Sequence, residues 1–356
     1  MSIWYDEHKG GVAVQYKQIV FTAVNRAELL EKELVPPTGT QVQVKLAVST
    51  ISSGTERANL TGDKNISWNY VTDTVCFPRY GGYSAAGTVT AVGEKVTGVK
   101  VGDRVVVSGG THSSYSTVEE SQVTLIADER LSFEEAALTY IGIFPLGAIR
   151  KCRLEIGESA LVMGQGVLGQ MAVQQLRAAG AVPVIAADPD PIKRKRALQL
   201  GADYAFDPLA ADFAAQVKAI TGGKGVNVVI EVTGLGAGLE TALDATALMG
   251  RVALLGCTRS SDFTIDYYHK VHGPGISLIG AHTSARPDKE SAPGLWTTQD
   301  DIRAQLRLVC AGRLDLKCLI EETHSPEEAP AVYTRLATDR TFPVVQFDWR
   351  LLHEKD

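Results

Sequence analysis

Ala160-Leu161-Val162-Met163-Gly164-Gln165-Gly166-Val167-Leu168-Gly169 is the stretch on which the fold turns. A short apolar run meets a G-x-G-x-x-G string, and a helical pattern then continues from Val167 to Ala179 before Gly180. The order strand, glycine turn, helix is what gives the string meaning; by itself it counts for little among 34 glycines. Downstream, Val182 to Ala187 reads as a second strand, and a helical pattern follows to Leu200 and stops at Gly201. Asn227 to Val232 and Val252 to Leu255 read as strands on either side of a helix from Leu239 to Leu248, and Ile276 to Ile279 as another strand. Strands alternating with helices of about 10 to 15 residues imply βαβ units and a parallel, doubly wound sheet with right-handed crossovers.

Upstream the texture differs. Val12 to Val24 alternates and reaches Pro36-Pro37, and Val42, Val44, Leu46 and Val48 mark a half-buried strand. Thr88 to Val92 and Val105 to Val107 are further short strands bracketed by Gly93, Gly98 and Gly102-Asp103. The chain is therefore α/β, with a β-rich domain over 1–150 and 291–356 and the dinucleotide-type domain over 151–290 inserted between them.

Glycines at 164, 166 and 169 have separate tasks: a tight turn, close approach to a pyrophosphate, and close helix–strand packing, with the helix N-terminus facing the phosphate charge. Gln165, Val167 and Leu168 complete the loop. Asp188 follows by about 20 residues at the end of the second strand, where a carboxylate binds the ribose hydroxyls and repels a 2′-phosphate. That predicts NAD rather than NADP. Asp188 also suits a cap for a helix beginning at Pro189. Val232-Thr233-Gly234 and Gly256-Cys257-Thr258 end two further strands and are expected to line the nicotinamide half.

Bulk properties narrow the function. The net charge of −6 and the lack of a Lys/Arg run exclude a nucleic-acid partner. No apolar run reaches membrane-spanning length and Met1 to Gly11 lacks a signal-peptide core, so a cytoplasmic protein with no membrane partner is expected. Cysteines at 76, 152, 257, 310 and 318 form no C-x-x-C pair and read as free thiols.

With these parts in order, the chain resembles the medium-chain dehydrogenase/reductase superfamily over nearly its whole length. The most specific marker is Gly87-Thr88-Val89 … Val92-Gly93 … Val96 … Val101-Gly102-Asp103-Arg104-Val105, followed by Ser132 to Ala137 and Gly157-Glu158. The resemblance implies a GroES-like catalytic domain, a Rossmann domain and an active site between them. It also implies a homodimer through the sixth strand, and, loosely, an Arg340 contact to the pyrophosphate.

Zinc-dependent members carry C-G-[ST]-D and G-H-E turns and a later cysteine or acid. Here the turns read Ser53-Gly54-Thr55-Glu56 and Gly82-Tyr83-Ser84, and the third position falls near Tyr140. Hydroxyls and phenols are poor zinc ligands, so no catalytic metal is expected. The resemblance assigns proton relay to Thr55, with Tyr83 and Tyr140 as donors to a developing alkoxide; packing in a vacated metal site is the plainer role for the tyrosines. His112 is a candidate general base, or with Glu56 a non-standard metal ligand, against an ordinary structural histidine. His269, His272 and His282 define no ligand set.

Within the superfamily, Ser-Gly-Thr-Glu with Gly-Tyr-Ser is similar to bacteriochlorophyllide dehydrogenase-like and sugar 3-dehydrogenase-like proteins. The implied activity is NAD-dependent hydride transfer to or from a secondary alcohol of a small polyol, cyclitol or sugar. The alternatives are a zinc-free NADPH enone or quinone reductase and a non-catalytic NAD(H)-binding protein.

Overall fold

The computed structural model describes residues 14–66, 74–261 and 263–353. Met1 to Gly11 and the start of the strand expected from Val12 lie outside the described residues. Two compact units emerge, one running to Tyr140 and resuming at Ile320, the other comprising Ile141–Leu319.

The second unit holds β8 (Ala160–Met163), α4 (Val167–Ala178), β9 (Val184–Ala187), α5 (Pro191–Gln199), β10 (Tyr204–Phe206) and α6 (Phe213–Ile220). It continues with β11 (Val226–Glu231), α7 (Gly236–Ala245), β12 (Thr246–Leu254), β13 (Ser277–Gly280) and α8 (Thr298–Cys310). Its six strands are parallel in the order β10-β9-β8-β11-β12-β13. Side chains of β8 alternate between two cores: Ala160 and Val162 pack with Ala172, Val173 and Leu176 of α4, while Leu161 and Met163 pack with Phe213, Val217 and Leu239. Burial on both faces explains why this strand reads as one unbroken apolar run. The strand order reverses between β8 and β11, and a ligand crevice opens beyond the carboxyl ends at such a switch point.

In the first unit lie β1 (Gln15–Ala23), β2 (Arg26–Glu33), β3 (Gln41–Thr50), α1 (Ser53–Leu60), β4 (Ser84–Val92), β5 (Arg104–Ser108), β6 (Tyr115–Glu119) and β7 (Val123–Leu125). α2 (Phe133–Ala136) follows, then the start of α3 (Thr139–Lys151), and after the return of the chain β14 (Glu322–His324), α9 (Ala329–Thr338) and β15 (Val345–Asp348). β1 pairs with β2; the larger sheet runs β14-β15-β3-β4-β5-β7, with β6 also on β3. The G-D-R-V run makes the β4–β5 connection, where Gly102 takes a left-handed φ of +94° and Val89 bonds both Gly102 and Asp103. One core joins Phe21 and Leu46 to Tyr333, Phe347 and Trp349 from the other end of the chain.

Two boundaries depart from the sequence reading. The unit junctions fall before residue 150 and well after 291, because packing crosses the change in texture. Ala148, Ile149 and Cys152 belong to the β8 core, Asp301 of α8 binds Arg150 and Arg286, and Gln174 exchanges two hydrogen bonds with Asp315. The helix expected over 239–248 is instead α7, ending at Ala245, because Thr246 turns to extended geometry (ψ 140°) and begins β12. Leu248 and Met249 are exposed rather than on a buried helix face. Among the described residues no helix is long and apolar enough to cross a membrane.

Candidate active site

The glycine loop is built by clearance. A Cβ on Gly169 would lie 1.9 Å from the Gly164 carbonyl oxygen, and Gly164 itself sits at φ +95°. Helix and strand therefore meet backbone to backbone. A Cβ on Gly166 would meet nothing within 4 Å, so this side of the loop is open. No side chain caps α4, whose N-cap is Gly166, and its first N–H groups are available to an anion.

Asp188 is tied into the same loop: its Oδ2 accepts from Gln165 N–H at 2.8 Å and its Oδ1 from Asp190 N–H at 2.9 Å. Each oxygen keeps a further lone pair for a ribose hydroxyl. The capping role belongs to Asp190, which accepts from Ile192 N–H at the start of α5, two residues later than expected. Gln165 is wholly buried, with its Nε2 on the Val162 carbonyl.

The loops after β11 and β12 meet this one. Gly164 faces Thr233 Cγ2, and Gly256 stands against the Gly234 backbone. Thr258 Oγ1 donates to the Gly234 carbonyl at 2.8 Å, and Cys257 is exposed and free. Buried Glu231, which sequence reasoning missed, holds Thr233 and Gly234 through their N–H groups at 2.8 and 3.1 Å and also accepts from the Thr233 hydroxyl. Burial raises its carboxyl above the ordinary value, against the pull of those donors. The loops after β8, β9, β11 and β12 form one rim whose clearances and donors fit a dinucleotide.

A second cluster occupies the first unit. Tyr83 donates to Ser52 Oγ and is also hydrogen-bonded to Thr55. Its ring meets that of Tyr140 edge-on, with centroids 5.6 Å apart. Thr55 to Tyr83 to Ser52 is thus a run of three hydroxyls. Burial pushes the Tyr83 phenol well above its ordinary value, and the charge of Glu56 adds to this; Ser52 and Thr55 pull the other way. The group is a proton donor, not a base. Ser53 opens α1, but it is its neighbour Ser52 that reaches Tyr83.

Of the roles weighed for His112, its surroundings are those of a structural histidine. It has no exposed surface; its Nε2 lies 3.1 Å from Glu56 Oε2 and its Nδ1 2.7 Å from Ser49 Oγ. The reason is local: the loop folds inward, with His112 N–H on the Gly81 carbonyl and the His112 carbonyl on Ile19 N–H. Glu56, only 1% exposed, accepts in addition from Ser52 N–H, Gly82 N–H and the Tyr333 hydroxyl. Four donors offset the cost of burying its charge.

The donor set does not fit the zinc of related enzymes. Hydroxyls stand at the matching positions, and among the described residues no three His, Cys, Asp or Glu side chains come together to hold a metal. Glu56 and His112 are a pair without a third such ligand. His269 pairs with Asp266 and meets the Tyr268 ring edge-on, His272 stacks on the same ring, and His282 bonds Ser284. Arg340 is exposed on the loop after α9 in the first unit, whereas the glycine loop belongs to the second. Sequence reasoning also missed Ser52, Ser49, Tyr333 and Trp349. Ser52 adjoins a quoted motif; the other three carry no local signal.

Two family models match in tandem. One, described as an alcohol dehydrogenase GroES-like domain, covers residues 40–152, and one described as a zinc-binding dehydrogenase covers 167–296. An L-threonine 3-dehydrogenase of Pyrococcus furiosus is 30% identical over 323 residues, 83% of this chain and 87% of that protein. The chain belongs to the medium-chain dehydrogenase/reductase superfamily. A D-guloside 3-dehydrogenase of Escherichia coli is 23% identical over 333 residues, 89% of this chain and 95% of the relative. An alcohol dehydrogenase of Escherichia coli solved with NADH superposes with a TM-score of 0.79 at 18% identity, over 94% of this chain and 99% of that one. The protein is accordingly an oxidoreductase of the alcohol dehydrogenase type.

Proposed function

We propose that the chain transfers a hydride reversibly between NAD(H) and a secondary alcohol or ketone of a polyol, cyclitol or sugar, without a catalytic zinc. The observation that carries this is the hydroxyl run Thr55–Tyr83–Ser52, in which Tyr83 stands at the position that the resemblance gives to a metal-binding histidine. The cofactor, when bound, supplies the hydride acceptor or donor. Thr55 relays the alcohol proton, and the neutral phenol of Tyr83 donates to the developing alkoxide, an interaction worth about 3 kcal/mol. Tyr140 holds the Tyr83 ring edge-on.

Gly164, Gly166 and Gly169 admit the pyrophosphate, and Asp188 binds the adenosine ribose. The carboxylate favours NAD over NADP because a 2′-phosphate beside it would be repelled. A polar, ring-shaped substrate is supported by the likeness to the guloside dehydrogenase. The enone reductase reading lacks an NADP-selecting feature at Asp188. A homodimer through β13, the end strand of its sheet, in the cytoplasm completes the proposal.

The test is NADH formation with chelator present, across inositols, glycosides, sugar acids and simple alcohols. Turnover on a polyol or sugar is expected. Silence across the panel with NAD(H) still bound would overturn the catalytic reading in favour of an NAD(H)-binding protein.

A further inference from the structure

We propose that Glu56 and His112 form a positioning pair, an internal carboxylate–imidazole tie that fixes the first turn of α1, which carries Thr55, against the segment before β4, which carries Tyr83. The assignment rests on the reading that those two hydroxyls act on substrate. Where the donor set cannot hold a metal, something else must hold the two segments. Glu56 lies next to Thr55 and bonds Ser52 N–H at 2.9 Å on one segment and Gly82 N–H at 3.3 Å on the other. It therefore spans the residues flanking the Tyr83–Ser52 contact.

The pair sits within a chain of buried hydrogen bonds. Trp349 Nε1 can only donate, and it does so to Ser49 Oγ at 2.8 Å. Ser49 Oγ in turn lies 2.7 Å from His112 Nδ1, His112 Nε2 lies 3.1 Å from Glu56 Oε2, and the Tyr333 hydroxyl donates to that same oxygen. The backbone is shaped to the pair: a Cβ on Gly81 would lie 2.7 Å from Glu56 Oε2, and one on Gly82, at φ +94°, 2.1 Å from His112 N. Both glycines sit between the partners and leave them room. Phe347 closes the far side of the imidazole at 5.3 Å, edge-on. Neither partner reaches solvent, so the pair orients groups and does not itself exchange protons with substrate.

The experiment places 3-fluorotyrosine at position 83 and follows its 19F resonance in the full chain, alongside kcat and KM on the best alcohol. Glu56→Gln and His112→Gln are expected to shift or split the resonance and to lower kcat by about 10²-fold, the scale of a roughly 1 Å misplacement. KM for NAD stays unchanged. Tyr333→Phe, which removes one hydrogen bond and keeps the ring, is expected to move the signal the same way by less, and it decides the matter if the other variants do not fold. Variants that melt earlier but keep the wild-type resonance and the wild-type kcat per folded molecule would reduce the pair to ordinary core and overturn the assignment. If the wild type turns over no alcohol, the proposed function fails, while the fluorine signal still decides whether the pair positions Tyr83.

Discussion

The two candidate clusters, one in each unit, are made of different material. The nucleotide rim of the second unit is backbone: glycines set its clearances and helix N–H groups its electrostatics. The hydroxyl cluster of the first unit is side chain, steadied by a buried network joining residues 49, 56, 112, 333 and 349. A backbone site depends on spacing along one short segment. A side-chain site depends on which distant segments the fold brings together. The contrast also predicts how each cluster fails.

Gly169→Ala is the harshest break on the backbone side. With 1.9 Å between the new methyl carbon and the Gly164 oxygen, α4 must move off β8, and NADH affinity is expected to fall by more than about 10²-fold, equivalent to roughly 3 kcal/mol. Fluorescence titration with NADH measures this; near-wild-type binding would show that the loop tolerates the shift and is not set by clearance. Tyr83→Phe breaks the other cluster alone. It should lower kcat by about 10²- to 10³-fold, as for loss of one oxyanion-type donor, with NADH affinity unchanged. Loss of both together would mean the clusters are not separable in the way described.

Asp188→Ala sharpens the comparison, because this side chain serves a backbone loop. Preference for NAD over NADP is expected to drop by about tenfold, with some loss of NADH affinity as Gln165 N–H loses its acceptor. Matched titrations with both cofactors separate the two effects. The smallest expected effect concerns pH. Because the folded-state phenol of Tyr83 titrates above its ordinary value of about 10, the neutral donor persists as pH rises through that value, and no limb between about pH 6 and 9 arises from it. A limb in the kcat profile that vanishes in Tyr83→Phe would contradict the donor role.

Much of this was readable in advance, and the pattern of misses is instructive. The strand–glycine–helix order at Ala160 to Ala179 predicted both the parallel sheet and the glycine turn that opens α4, since every contact that matters there lies within a few dozen residues. Asp188 was placed correctly at its strand end but given a helix cap that belongs to Asp190, a two-residue slip typical of helix termini. The replaced metal turns were visible at Ser53, Tyr83 and Tyr140, yet the partner of Tyr83 is Ser52. His112 was a candidate base or a structural histidine, and its loop folds into the core of its own unit, where the imidazole has no exposed surface.

By itself, then, the sequence determined the class of fold, the nucleotide loop and the loss of thiolate and imidazole donors from the metal turns, because each is written in local spacing or residue type. Only the tertiary structure decided that Asp301 and its helix pack with the second unit, that Glu56 and His112 are sealed inside the first, and that Tyr333 and Trp349 complete their hydrogen bonds. Those outcomes turn on contacts between segments up to 300 positions apart, and such pairings follow from how whole sheets and helices bury their apolar faces, which no single stretch of chain records.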